Sequence, residues 1–245
     1  MPEDKRNSSV VSARAERILA VLLASGEGSR SGFPMPKQFV KIAGKELYRH
    51  SLDVLLASPE IDAVTLVVPR GRVKEIRIKN KKLTIVAGGK RRQDSLLKAL
   101  AGVGEETRTV LVHDSARPFI REAVIKSVLK AASSYGAAIA AEKISDTVKE
   151  ADGGFVKKTL DRTKLFAAAT PQAFKVVWPE KIKKLLAGKR VFTDEAAVME
   201  YLGVPVKIVV AGDVNIKLTE KKDFTIVENL LERESGSGNR IKSRR

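Results

Sequence analysis

The chain has no cysteine among its 245 residues, which excludes disulfides, thiolate nucleophiles and thiolate-ligated metals. Two histidines argue against a histidine-built metal site, so any catalytic metal is expected to be a hard cation held by carboxylate and phosphate oxygens. No apolar run approaches the ~20 residues of a membrane helix, and no membrane association is expected. Aromatic residues are scarce at 5%, and acidic residues are outnumbered, 29 against 46 Lys and Arg, for a net charge of +17. That balance raises a nucleic-acid-binding reading. Part of the excess lies in Lys79 to Lys82, Lys90-Arg91-Arg92, Lys181 to Lys184 and Arg240 to Arg245, which are scattered, with few aromatics between them to stack bases. The charge is therefore read as a solvated surface that collects small anionic substrates, and nucleic acid is kept only as a rival of a different class.

What is present is a sizeable core, with 43% hydrophobic residues, in a chain long enough for one large α/β domain or two small ones. Residues 1–17 are polar and of mixed charge and are expected to form a flexible extension. Followed by Ile18 to Ala24 they faintly imitate a secretory signal, but cleavage near Ala24 would discard the first strand. A cytoplasmic protein is expected, with an organelle address left open. Residues 18–234 read as a single domain and 235–245 as a flexible basic tail.

The most informative stretch runs from Ile18 to Gln38. Seven apolar residues, Ile18 to Ala24, show none of the alternation of a half-exposed strand, which suits a strand covered on both faces. They break into Ser25-Gly26-Glu27-Gly28-Ser29-Arg30-Ser31-Gly32, followed by Pro36-Lys37-Gln38. Glycines let successive backbone N–H groups point at an anion, and Arg30 and Lys37 add two positive charges. The loop lacks the Gly-Lys-Ser/Thr ending of a Walker A sequence and the third glycine position of a dinucleotide fingerprint. Gly-x-Gly-x-Arg with a downstream Pro-x-Pro-Lys-Gln looks instead like the loop of sugar-phosphate nucleotidyltransferases; a plain glycine-rich surface turn is the alternative.

Beyond the loop, helices are expected over Glu46 to Ala57, Val73 to Ile78, the segment carrying Leu96 to Val103, and Glu122 to Ser134. They alternate with strands at Ala63 to Val68, Leu83 to Val86, Thr109 to Val112 and Ala137 to Ala141. This rhythm predicts a doubly wound, mostly parallel α/β sheet of Rossmann-like type. It changes after Glu142, where Thr147-Val148-Lys149, Asp152-Gly153-Gly154 and Phe155 to Thr159 read as a polar β-hairpin, a projecting arm over about residues 142–162. The chain returns through Thr170-Pro171-Gln172. Helices near Pro179 to Leu186 and Asp194 to Leu202 follow, then a strand at Val206 to Val210 and a last helix over Lys221 to Arg233.

Polar clusters follow the first, third and fourth strands, where ligands of an open parallel sheet bind. Together, Gly26-x-Gly28-x-Arg30, Pro36-Lys37-Gln38, Gly88-Gly89-x-x-Arg92-x-x-Ser95, Val112-His113-Asp114-x-Ala116-Arg117-Pro118, Asp146-Thr147, Asp161-Arg162, Thr170-Pro171-Gln172, Thr193-Asp194-Glu195-Ala196 and Asn215-Ile216-Lys217-Leu218-Thr219 resemble the 2-C-methyl-D-erythritol 4-phosphate cytidylyltransferase family. The resemblance spans Ile18 to Glu232.

It implies in-line attack of an acceptor phosphate on the α-phosphorus of CTP, with diphosphate leaving, in the non-mevalonate route to isoprenoids. Arg30 and Lys37 would stabilise the transition state. Ala24, Ser25, Gly26, Gly88, Gly89 and Ser95 would hold the nucleotide, with Asp114 at the ribose and metal side. Asp114 and Asp213 would meet Mg²⁺ or another divalent cation. Asp114, Arg117, Thr147, Arg162, Thr170 and Lys217 would form the acceptor side, with Arg162 and Lys217 gripping the attacking phosphate. The resemblance also implies a homodimer in which the arm delivers Thr147 and Arg162 to the partner. A relative using ribitol 5-phosphate is the nearest alternative, while a fused cyclase domain is not expected because few residues follow Glu232.

Several of these residues also admit structural readings. Asp114 can cap a helix, Arg117 can form a structural ion pair, and Thr193 can cap the helix that follows it. His113 is expected to pack beneath the nucleotide site, and Gln38 to fix the glycine loop.

Overall fold

The computed structural model describes residues 17–26, 32–33, 35–104, 106–177, 179–212 and 215–240. Expectations placed on Arg30, Asp213, residues 1–16 and residues 241–245 lie outside them. The order of elements is β1 (Arg17–Leu23), a small hairpin of β2 (Lys41–Ile42) and β3 (Lys45–Glu46), then α1 (Leu47–Ala57), β4 (Ala63–Val68) and β5 (Leu83–Ala87). Next come α2 (Arg92–Leu100), β6 (Thr107–Asp114), α3 (Glu122–Tyr135) and β7 (Ala137–Lys143). A second hairpin, β8 (Lys149–Asp152) and β9 (Phe155–Thr159), leads to β10 (Phe166–Lys175). The chain finishes with α4 (Pro179–Ala187), α5 (Glu195–Tyr201), β11 (Val206–Val210) and α6 (Lys221–Arg240).

Seven strands form the central sheet in the order β11-β7-β10-β6-β1-β4-β5. All pairings are parallel except those of β10, which runs antiparallel to both β6 and β7. The unalternating run in β1 has a direct cause. Ala20, Leu22 and Ala24 pack with Leu52 and Leu55 of α1 and with Ile125 and Val128 of α3. Leu19, Val21 and Leu23 pack on the other face with Leu96 of α2 and with Ile182 and Leu186 of α4. Each fully buried aliphatic side chain contributes about 1.5–3 kcal/mol, so the strand that carries the loop is held from both sides. A third cluster joins Ile42, Leu47 and Phe119 to Leu218 and to Phe224, Val227 and Leu231, which seats α6 against the body.

The structure departs from the sequence reading in four places. Val73 to Ile78 is not a helix: a 3-10 turn at Arg70–Arg72 follows Pro69, and irregular chain leads to β5. The segment's backbone bonds are those of turns, with Val73 N donating to Arg70 O at 3.4 Å and Glu75 N to Arg72 O at 3.1 Å, before a turn in which Asn80 Oδ1 accepts from Lys82 N at 2.8 Å. The return through Thr170-Pro171-Gln172 is the ten-residue strand β10, near the middle of the sheet. Its alanines and proline are poor strand signals. Its pairing with β7 breaks between Ala168 and Gln172, where proline has no N–H for the ladder. The last helix continues to Arg240, through Ser235-Gly236-Ser237-Gly238. Finally, the cap of α5 is Asp194, whose side chain accepts from Ala197 N, rather than Thr193.

The arm is present as read, with β8 and β9 antiparallel and exposed throughout. Phe155 and Val156 stand 81% and 63% exposed on it. Among the described residues, no helix is long and apolar enough to cross a membrane.

Candidate active site

The sheet changes direction at β1: β4 and β5 lie to one side and β6 to the other. The loops leaving β1 and β6 therefore part at a topological switch point, the usual ligand crevice of such sheets. Leu23 is the register partner of Asp114 there, and Ser115 N donates to Leu23 O at 3.0 Å.

On the β1–β4–β5 side, Ala24 N donates to Val67 O and Gly88 N to Val68 O, both at 2.8 Å. Ser25 Oγ and Ser95 Oγ are 2.9 Å apart and share a hydrogen bond, and Gly89 N donates to Ser95 Oγ at 3.0 Å. A Cβ at Gly88 would lie 2.3 Å from Ser25 Cβ and 3.0 Å from Ser95 Oγ, so this approach exists only because residue 88 has no side chain. Gln38 Nε2 donates to the carbonyls of Ala24 at 2.8 Å and Gly26 at 2.7 Å, which pins the start of the glycine loop. Ala24, Ser25, Gly26, Gly88, Gly89 and Ser95 are thus gathered in one place.

The preceding residue, Lys37, opens a 3-10 turn, and its ammonium donates to the carbonyl of Leu218. Lys217 Nζ, one residue before, donates to Asp114 Oδ2 at 2.8 Å. Arg92 approaches the other oxygen, Oδ1, with Nε at 3.3 Å and a terminal nitrogen at 3.1 Å. The same guanidinium spans both oxygens of Glu195 at 2.6 and 3.0 Å. Burial would raise the Asp114 pKa, but Arg92 and Lys217 prevail and hold the carboxyl well below its usual range. Burial dominates at Glu195, whose carboxyl is pushed up despite Arg92.

Beneath Asp114 lies a directional hydrogen-bond chain. The Arg117 carbonyl can only accept, so His113 carries its proton on Nε2, 2.9 Å away. The other ring nitrogen, Nδ1, is 3.0 Å from Thr170 Oγ1 and accepts the hydroxyl proton. Thr170 Oγ1 in turn accepts from Asp114 N at 3.1 Å. Burial lowers the His113 pKa to about 4, the neutral form this chain requires. His113 therefore packs under the site as read from the sequence. Thr170 is itself buried, with its hydroxyl engaged by His113 and Asp114. Arg117 donates from a terminal nitrogen to Asn215 O at 2.5 Å, and Asn215 Nδ2 donates to Thr170 O at 2.9 Å. Burial lowers the Arg117 pKa.

Thr147 and Arg162 are placed apart from this cluster, at the base of the arm. Thr147 is exposed, and Arg162 donates to the Ser145 carbonyl. Two charged residues of the site, Arg92 and Glu195, received no role from sequence. They open α2 and α5, and nothing in the linear pattern reveals that they meet at Asp114.

A doubly wound sheet with polar segments gathered at its switch point, and Lys217 paired with an ionised aspartate there, marks an α/β protein built to take its ligand at the ends of its parallel strands. The model of the family described as IspD, 2-C-methyl-D-erythritol 4-phosphate cytidylyltransferase, matches residues 18–233. The chain belongs to this family. A 2-C-methyl-D-erythritol 4-phosphate cytidylyltransferase of Syntrophus aciditrophicus (strain SB) is 39% identical over 229 residues, covering 90% of this chain and 98% of the relative. One from Pelotomaculum thermopropionicum is 37% identical over 230 residues, covering 90% and 97%. Among solved structures, 4-diphosphocytidyl-2C-methyl-D-erythritol synthase from Anaerococcus prevotii DSM 20548 superposes with a TM-score of 0.75 at 26% identity, covering 89% and 96%.

Proposed function

We propose that this protein transfers the cytidylyl group of CTP to 2-C-methyl-D-erythritol 4-phosphate, releasing diphosphate, in non-mevalonate isoprenoid biosynthesis. The observation that carries this reading is the convergence of the Ser25–Gly88–Ser95 cradle and the Asp114–Lys217 pair at one switch point, in a chain of this family. An acceptor phosphate oxygen attacks the α-phosphorus of CTP; the new P–O bond forms as the bond to the β-phosphate oxygen breaks. No proton need be transferred to the leaving diphosphate, so positioning and charge stabilisation suffice.

In this reading the cradle orients the nucleotide, and Lys37, with Arg30, meets the negative charge that grows on the α-phosphoryl oxygens. Lys217 and Arg162 hold the acceptor phosphate in line. Arg117 and Thr170 support that side through Asn215 and Asp114, and Thr147 approaches the acceptor from the arm.

Mg²⁺ fits the donor set around Asp114. No group of three or more potential ligand side chains occurs among the described residues, as suits an ion that takes most of its ligands from substrate phosphates and water. Asp114 is held ionised, and an ionised carboxylate has acceptor capacity beyond the bonds that Arg92 and Lys217 donate. Bound there, Mg²⁺ would neutralise triphosphate charge; Asp213 is proposed as a second ligand.

The protein is further proposed to act in the cytoplasm as a two-fold homodimer joined through the arm, whose exposed Phe155 and Val156 favour a covering partner. A diphosphate-release assay crossing CTP, UTP and ATP with methylerythritol and ribitol phosphates tests the reaction. Turnover is expected only with CTP and methylerythritol phosphate in the presence of Mg²⁺. Equal turnover with ribitol phosphate would reassign the acceptor, and none with any polyol phosphate would remove the reading.

A further inference from the structure

Glu195 is a carboxylate only 2% exposed, and the transfer described above gives it nothing to do. A carboxylate this deeply buried is costly to desolvate, and buried ion pairs are often replaceable by apolar residues, so stability alone is a weak reason for one. Its placement is specific. Glu195 is the first residue of α5, Arg92 the first of α2 and Asp114 the last of β6, so three elements meet at their ends. The two terminal nitrogens of Arg92 engage Glu195 in a two-pronged bond, and the Nε side of the guanidinium reaches Asp114 Oδ1. A planar guanidinium held at one edge has its other edge fixed in direction as well. Glu195 is itself held from below. Asp194 caps the helix, and Gln172 Nε2 donates to Asp194 Oδ2 at 3.0 Å while Gln172 Oε1 accepts from Ala196 N at 2.9 Å.

We infer that Glu195 is a positioning residue for cytidylyl transfer, acting through Arg92 to fix the carboxylate of Asp114. Glu195 supplies a second counter-charge that keeps Arg92 seated between the two carboxylates. Without it, Arg92 is a cation beside a triphosphate site and is drawn onto the phosphates, leaving the Asp114 carboxylate to Lys217 alone and its Oδ1 unheld. The inference rests on the role proposed for Asp114 at the nucleotide.

The test combines kinetics with crystal structures of Glu195→Gln, Arg92→Lys, Arg92→Met and the double variant Arg92→Met/Glu195→Gln. Glu195→Gln should lower kcat about tenfold or more, as expected for a lost charged hydrogen bond, with KM for CTP little changed. Arg92→Lys keeps the charge but cannot bridge both carboxylates, and it should show the same split. In the Arg92→Met background, adding Glu195→Gln should cost no further activity, because Glu195 then has nothing to act through. Asp114 should be displaced in the structures of the single variants. Full kcat with lowered thermal stability would make the bridge merely structural and overturn the inference. Multiplying losses in the double variant, or Asp114 unmoved in the single-variant structures, would overturn it too. Absence of turnover by the wild type would instead strike the proposed reaction, and the position of Asp114 in the variants would still decide the inference.

Discussion

Lys37 and Leu218, 181 residues apart in the chain, are joined by a hydrogen bond from the lysine ammonium to the leucine carbonyl. The bond ties the segment after the glycine loop to the strap that presents Lys217, so the sides proposed to hold nucleotide and acceptor share one anchor. Leu218 is fully buried and its N–H donates to Ala116 O at 2.8 Å, which makes that anchor stiff.

If Lys37 stabilises charge growing at the α-phosphate, Lys37→Met should lower kcat by about 100-fold or more while weakening CTP binding only modestly. Steady-state kinetics with calorimetric CTP titration separates the two. An unchanged kcat with a raised KM for CTP would leave Lys37 a binding residue.

Gly88→Ala places a methyl group 2.3 Å from Ser25 Cβ and should force the cradle open. Overpacking of this kind costs about 1–3 kcal/mol, and CTP affinity should fall with it. Gly71→Ala is the control: nothing lies within 4 Å of the added carbon, so KM should be unchanged and the unfolding midpoint should not fall. Wild-type CTP affinity in Gly88→Ala would show that the close approach has no bearing on the nucleotide.

The legibility of the molecule follows from where each signal resides. A parallel strand announces itself where both faces are apolar, as in β4 at Ala63–Val68, and the half-exposed edge strand β11 was readable at Val206–Val210 from its β-branched residues. Strand β10 was invisible, because alanines fit a crowded sheet centre without strand propensity and Pro171 argues against a strand. Gln38 could be read as a brace from its place beside Lys37. Glu195 could not, since its value depends on Arg92, 103 residues away in sequence, and on Asp114, and no local pattern encodes such a meeting.

His113 gives a pH signature. Its pKa is about 4 in the folded protein against 6.5 when unfolded, so the unfolded chain binds more protons between those values. The stability it contributes is complete above pH 6.5 and is lost as pH falls towards 4, by about 3 kcal/mol at most. Urea unfolding from pH 7.5 to 4 should therefore show a shallower acid decline in His113→Asn than in wild type. Parallel profiles would mean that His113 does not resist protonation.

The proposed dimer predicts complementation. Lys37→Met and Arg162→Met homodimers should each be nearly inactive. Refolded together in equal amounts, they form heterodimers in about half of all pairs. Each heterodimer has one site with both substitutions and one with neither, so activity should return to about a quarter of wild type. If exchange occurs and activity stays absent, both residues serve a site from the same chain.

The antiparallel course of β10 makes the arm a detachable module. Since β7 and β10 are already hydrogen-bonded neighbours running in opposite directions, the chain between them could be cut back to a short hairpin turn without disturbing a pairing of the central sheet. An arm-less chain should fold, bind CTP and fail to transfer it. On the proposed function, building the nucleotide pocket and completing the acceptor pocket are separable assignments, one given to the sheet and the other to an appendage that can vary in length and sequence at little cost to the fold.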